Sequence, residues 1–287
     1  MPSWNIHLEA GERLADKLRL EDDKRREFLL GCLLPDINNG YINNPVVVKD
    51  HGETHYAYDK KSSLNFYAEN KRQVDAKNPI YLGYIFHLFM DGFFNYDFYH
   101  RVKHDPRFNK LDEDALVKMK HHDLWIYDDK LHHEIDIKEP EYTHYVGLAN
   151  QINPVEVCEQ DLSELFEILY EDTLNDVYRG EPYQFYTEDE LANLLDRAIE
   201  GFSEQYLGED YAWAPRGRNH PAWAERLYYS WKTYWHGYSL WKIFQGRSHH
   251  WHRYWYSSFW QSHRYRFRQR QVASHPSSYD WPANFWQ

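Results

Sequence analysis

At 287 residues the chain is long enough for one large domain or two small ones. Its formal net charge of −12 is unevenly spread: residues 211 to 287 hold eleven Lys or Arg against two acids, leaving 22 against 43 in residues 1 to 210. So acidic a body argues against nonspecific nucleic-acid binding, which needs a cationic face for phosphate, and the two cysteines, Cys32 and Cys158, are too few for a disulfide framework or a thiolate zinc site.

In chain order, helical patterning dominates the acidic body. Leu8 to Leu20 places Leu8, Leu14 and Leu18 near one face, and Arg25 to Leu34 follows with Phe28, Leu29, Cys32 and Leu33 on its apolar side. Pro35 is expected to stop that helix, leaving Asp36 just beyond its end. The stretch from Ile37 to Lys61, with Asn-Asn-Gly, Asn-Asn-Pro and His-Gly clusters, reads as a long loop of the kind that often carries function. Further helices are predicted over Ser62 to Asp75, Pro79 to Val102, Asp112 to Tyr127, Asp161 to Tyr170 and Glu188 to Tyr206. Strand-like alternation is scarce, so the fold class is all-α, with residues 1 to 210 as one multi-helix domain.

Residues 211 to 287 are a different kind of sequence. They carry ten of the twelve Trp but only Leu227, Leu240, Ile243 and Val272 as aliphatic core formers, too few for a close-packed interior. Trp251 to Tyr256, written TGG CAT CGG TAT TGG TAT and read one base later, gives alternating glycine and isoleucine. A frameshifted or disordered tail is therefore expected, and an interfacial membrane anchor is the alternative for its basic, aromatic character. No run of about 18 apolar residues occurs, and the first residues lack the apolar stretch of a signal peptide, so a soluble, cytoplasmic protein is expected.

Five metal-capable side chains fall in order along the body: His7, Asp36, His55, His87 and Asp91. His87 and Asp91 carry most weight, because a separation of four residues puts both on one helix face, one turn apart. Around them are Ile85, Phe86, Leu88, Phe89, Met90 and Phe93, among which an imidazole and a carboxylate are costly to bury uncompensated. A hydrogen bond between the two is one compensation; a divalent cation is the other. Imidazole with carboxylate suits zinc, then iron or manganese, and calcium least.

The order His, Pro-Asp, His, HxxxD resembles the zinc-dependent phospholipase C family, whose superfamily also holds single-strand-specific nucleases. The resemblance covers roughly residues 1 to 130. SWNIHLEAGERL is similar to the family's opening and maps its metal-binding His to His7; GCLLPD maps its carboxylate to Asp36; ETHY maps its isolated His to His55, with His51 competing; LGYIFHLFMD maps His87 and Asp91. The resemblance implies an intracellular member of that family, with these five residues as ligands and Asp36 also as the catalytic proton acceptor. Secreted members use a processed N-terminal Trp and an HxxxE pair, neither of which has a counterpart here, so one or two zinc ions are expected instead of three.

Downstream, KHHDLWIYDD resembles an acidic aromatic element of shorter relatives and adds His122, Asp123 and Asp128 as further candidates. The implied activity is a zinc-dependent phosphodiester hydrolase in which metal-activated water attacks phosphorus. Its substrate would be a phosphoester, phospholipid among the options, with no specific nucleic-acid partner indicated. Three alternatives stand beside it: a non-catalytic helical domain that binds a structural metal or a partner, an HD-type phosphohydrolase built on His122 and Asp123, and a membrane accessory protein using the tail.

Overall fold

The computed structural model describes residues 2–40, 43–57, 61–172, 178 and 180–207; the expectations for residues 211 to 287 lie outside them. Every regular element among the described residues is helical. Helix α1 spans Trp4–Leu18, starting four residues before the expected Leu8 because the Ser3 hydroxyl accepts the Ile6 N–H as an N-cap. His7 therefore sits in the first turns of a helix, on its buried face.

Helix α2, Asp22–Gly31, ends earlier than predicted, and Pro35 begins the next helical turn instead of stopping the last: α3 is Leu34–Ile37, with Asp36 inside it. Proline's fixed φ and missing N–H suit a first helical turn, where the N–H would have no partner. The expected loop from Ile37 to Lys61 is likewise interrupted by one turn, α4, His51–Thr54, capped by the Asp50 carboxylate on the Gly52 N–H at 2.8 Å. Asn38 pins this loop from inside, donating to the carbonyls of Val47 at 2.9 Å and Glu156 at 2.7 Å.

Helix α5, Ser62–Asp75, has the predicted limits, and α6, Pro79–His104, runs two residues beyond them. Helix α6 is the axis of the domain: Ile80, Leu82, Ile85, Phe86, Leu88, Met90, Phe94 and Phe98 are buried on several of its sides. Phe66 of α5 stacks on Tyr84 at 4.6 Å. At the crossing with α2, Gly31 and Gly83 let two backbones approach so closely that a Cβ on Gly83 would collide with the Phe28 carbonyl.

Helix α7, Glu113–Asp128, matches expectation within a residue; α8, Tyr142–Ala149, was not anticipated, being too short to show a helical period; and α9 is Glu159–Asp172. Helix α10, Glu188–Phe202, opens with a Thr187–Glu190 capping box and buries Leu191, Leu194, Leu195, Ala198, Ile199 and Phe202. Phe202 meets Phe86 of α6 edge to face at 4.9 Å. The predicted extension to Tyr206 instead widens into a π turn over Ser203–Leu207, where the Ser203 hydroxyl donates to the Ile199 carbonyl at 2.7 Å and competes with the α-helical ladder.

Candidate metal centre

Four elements deliver six polar side chains to one buried place: His7 from α1, Asp36 from α3, His51 and His55 from α4 and its C-cap, and His87 and Asp91 from α6. His55 Nε2 lies 3.4 Å from both Asp36 Oδ1 and Asp91 Oδ2, and 3.3 Å from His87 Nε2. His87 Nε2 is 3.5 Å from Asp91 Oδ2 and 3.8 Å from Asp36 Oδ2, and His7 Nε2 is 3.4 Å from Asp91 Oδ1. The rings are ordered in two parallel stacks, His7 on His87 at 3.8 Å and His51 on His55 at 3.7 Å.

Neighbours fix which nitrogen faces the centre. The Cys32 carbonyl lies 2.7 Å from His87 Nδ1; a carbonyl only accepts, so that nitrogen carries the proton and Nε2 turns a lone pair inward. Thr54 Oγ1, itself 3.4 Å from the His51 carbonyl it donates to, is 3.1 Å from His55 Nδ1 and orients that ring in the same way. Asn39 donates to Asp36 Oδ1 at 2.8 Å.

The electrostatics set two buried carboxylates among four buried imidazoles. Burial and then the charge of His87 lower the His7 pKa to about 4, and burial and then His55 lower that of His51 to about 4, so both rings are neutral near pH 7. Burial opposes charge on His55 as well, but Asp36 and Asp91 outweigh it and raise its pKa to about 9. Against the same burial, His87 and His55 hold the Asp36 and Asp91 carboxyls far below the usual carboxylate range. Two buried carboxylates facing imidazoles require compensating positive charge.

The donor set fits a metal. Ligand atoms about 2.0–2.2 Å from zinc in a tetrahedral shell stand about 3.3–3.6 Å from one another, which is the spacing of most of these pairs. Neither ring nitrogen of His7 and neither oxygen of Asp91 makes a hydrogen bond among the described residues, a costly state for buried polar atoms unless something else fills the role. Two groups of three could each hold an ion, His7 with His87 and Asp91, and Asp36 with His51 and His55.

The structure thus brings together His7, Asp36, His55, His87 and Asp91, and it places His51 among them where the sequence left His51 and His55 as competitors. It does not bring His122, Asp123 and Asp128 there. Asp123 is buried and accepts the backbone N–H groups of Gln184, Phe185 and Tyr186 at 2.8, 2.6 and 2.7 Å, anchoring the approach to α10. His122 pairs with Glu181 at 2.7 Å, and that contact raises its pKa. Asp128 receives the Ser3 hydroxyl and, at 3.5 Å, the Asn5 amide, so it fastens the start of α1 to α7. Among the described residues neither metal-capable group includes His122 or Asp123, which leaves the HD-type alternative without a site. Sequence reasoning missed the orienting groups, Cys32 O, Thr54 and Asn39. A backbone carbonyl leaves no side-chain signature, and Thr54 could have been suspected only from its place beside His55.

The sequence model of the zinc dependent phospholipase C family matches residues 6–145. No curated protein and no solved structure matches the chain. The match contains all six converging side chains, and the two His/Asp groups suit the one or two zinc ions that a zinc-dependent family calls for. Over residues 6–145, a little under half of its length, this helical chain is similar to the zinc-dependent phospholipase C family.

Proposed function

We propose that the chain is a zinc-dependent hydrolase of phosphodiesters with a phospholipid-type substrate, and that His7, Asp36, His51, His55, His87 and Asp91 hold its zinc. The observation that carries this reading is the convergence of four imidazoles and two carboxylates from four separate elements at ligand spacing. When bound, zinc lowers the pKa of water toward 7 and stabilises charge on phosphoryl oxygens. His87 and His55 enter the reaction already oriented by Cys32 O and Thr54, so they do not have to reorganise as charge develops. Asp36 takes the proton of the attacking water at the carboxylate oxygen that Asn39 leaves open, as the water oxygen bonds to phosphorus. The bond from phosphorus to the leaving alcohol then breaks, and that proton passes to the departing oxygen.

A second reading, a structural metal with no turnover, draws support from the depth of the site. His7, Asp36, His55, His87 and Asp91 are all deeply buried, and His51, at 6 % exposure, is the least buried of the six. A closed shell is the mark of a structural zinc. The two readings separate in one experiment on the full chain, zinc content measured beside hydrolysis of a short-chain phosphatidylcholine. Zinc with turnover, both lost in His87→Ala and Asp91→Ala, is the expected result; zinc without turnover selects the structural reading, and unchanged zinc in either variant rejects the ligand set.

A further inference from the structure

Among residues 1–210 two pairs of histidines stand four apart, His51 with His55 in the metal centre and His100 with His104 on the last turns of α6. A separation of four puts both imidazoles on one helix face, one turn apart, the spacing with which a helix offers two rings to one ion. Unlike the first pair, the second lies at the surface: His100 is half-buried and His104 exposed, and their ring centroids are 4.6 Å apart with the planes inclined at 45°. Tyr96, one turn earlier, flanks His100 at 5.9 Å. Among the described residues neither ring makes a hydrogen bond or an ion pair, so no protein group competes for their lone pairs.

Spacing and charge both suit a cation. An ion about 2.1 Å from one nitrogen of each ring stands about 3.2 Å from each centroid, so centroids 4.6 Å apart correspond to an angle of about 90° at the ion. Right angles belong to square-planar and octahedral ions, copper(II) and nickel(II) above all, whereas zinc prefers the wider tetrahedral angle. Two guanidiniums lie close by, but carboxylates neutralise both: Arg101 pairs with Asp97 at 2.7 Å and Glu190 at 2.8 Å, and Arg197 with Asp97 at 3.2 Å. His104 is the last residue of α6, where backbone carbonyls without helical partners give the helix end a partial negative charge.

We propose that His100 and His104 form a second metal site, a surface chelate for one divalent ion of the nickel(II) and copper(II) class, with water completing its shell. The pair begins nine residues after Asp91, about 13 Å farther along α6, and shares no side chain with the buried centre, so it stands apart from the hydrolase reading. No carbonyl or hydroxyl fixes either ring as Cys32 O and Thr54 do in the centre, which makes this the weaker and more exchangeable of the two sites.

The test is calorimetric titration of the zinc-loaded full chain, freed of excess zinc, with nickel(II) in one arm and zinc(II) in the other. Wild type should take up one nickel ion that His100→Gln and His104→Gln each bind about tenfold more weakly or worse, as loss of one of two attachment points dictates. The double variant should be no weaker than either single one, because a chelate needs both rings, and the zinc retained in the buried centre should be equal throughout. Zinc(II) should bind the pair more weakly than nickel(II), and equal affinity would overturn the choice of ion. No nickel binding by wild type, or affinities within about twofold of wild type in both variants, would overturn the site itself. Single losses that add in the double variant would replace the chelate with two independent imidazoles and overturn it as well. If His100→Gln does not fold, His104→Gln, at an exposed position, decides alone.

Discussion

His55 is the residue on which the centre turns. Its Nε2 is within 3.4 Å of both carboxylates and 3.3 Å from His87, and the carboxylates raise its pKa to about 9 although burial works against them. In the metal-free protein below that pH the ring carries a proton, which a metal has to displace. Zinc affinity is therefore expected to climb as pH rises toward 9, by about tenfold per unit from this one proton. His7 and His51, lowered to about 4, compete with the metal only in acid, where they steepen the fall. Zinc affinity measured between pH 6 and 8 checks this, and a flat profile would remove His55 from the ligand set. The Asp91 oxygens and both His7 nitrogens make no hydrogen bonds among the described residues, which underlies one of the two variants already named: Asp91→Ala removes the carboxylate nearest three imidazoles.

At the scale of the elements, the centre depends on how closely α2 and α6 cross. Gly31 and Gly83 permit the approach that puts the Cys32 carbonyl 2.7 Å from His87 Nδ1. Gly83→Ala would drive a methyl group into the Phe28 carbonyl and the Cys32 amide; the expected outcome is a loss of about 1–3 kcal/mol, as for overpacking, together with weaker zinc binding because His87 loses its orientation. Urea denaturation and zinc titration of the variant check both effects. On α7, Asp123 holds three backbone N–H groups ahead of α10. Asp123→Ala should therefore cost at least about 2 kcal/mol, seen in the denaturation midpoint, while zinc content stays that of wild type. Loss of zinc at unchanged stability would instead return Asp123 to the metal site.

For the whole molecule, a metal that ties α1, α3, α4 and α6 together acts as a cross-link present only in the folded state. Free zinc at about 1,000 times its dissociation constant should add about 4 kcal/mol to stability, so calorimetry should show the melting temperature rising with zinc and falling with a chelator. A melting temperature indifferent to both would mean that these four elements are not joined by a metal. Among the described residues no helix is long and apolar enough to cross a membrane, while the proposed phospholipid-type substrate calls for access to a lipid. The truncated chain ending at Asp210 offers the direct test of whether the aromatic tail matters to that access: liposome binding by the full chain and not by the truncated one would give the tail a role.

By itself the sequence determined the helical class and most helix positions, because burial of an apolar face imposes a period that survives without any knowledge of neighbours; α5 and α6 are the clearest cases. The HxxxD pair was legible for the same reason, since four residues make about one turn of helix. The helix ends were less so: Pro35 can stop one helix or start another, and only the end of α2 at Gly31 decided which. What tertiary structure alone decided is which polar groups share a place. His51 and His55 looked like competitors in a loop until a single turn of helix stacked their rings, and Asp123 looked like a ligand until three distant backbone amides were found on it. Such meetings depend on distances between segments far apart in the chain, which no local spacing encodes.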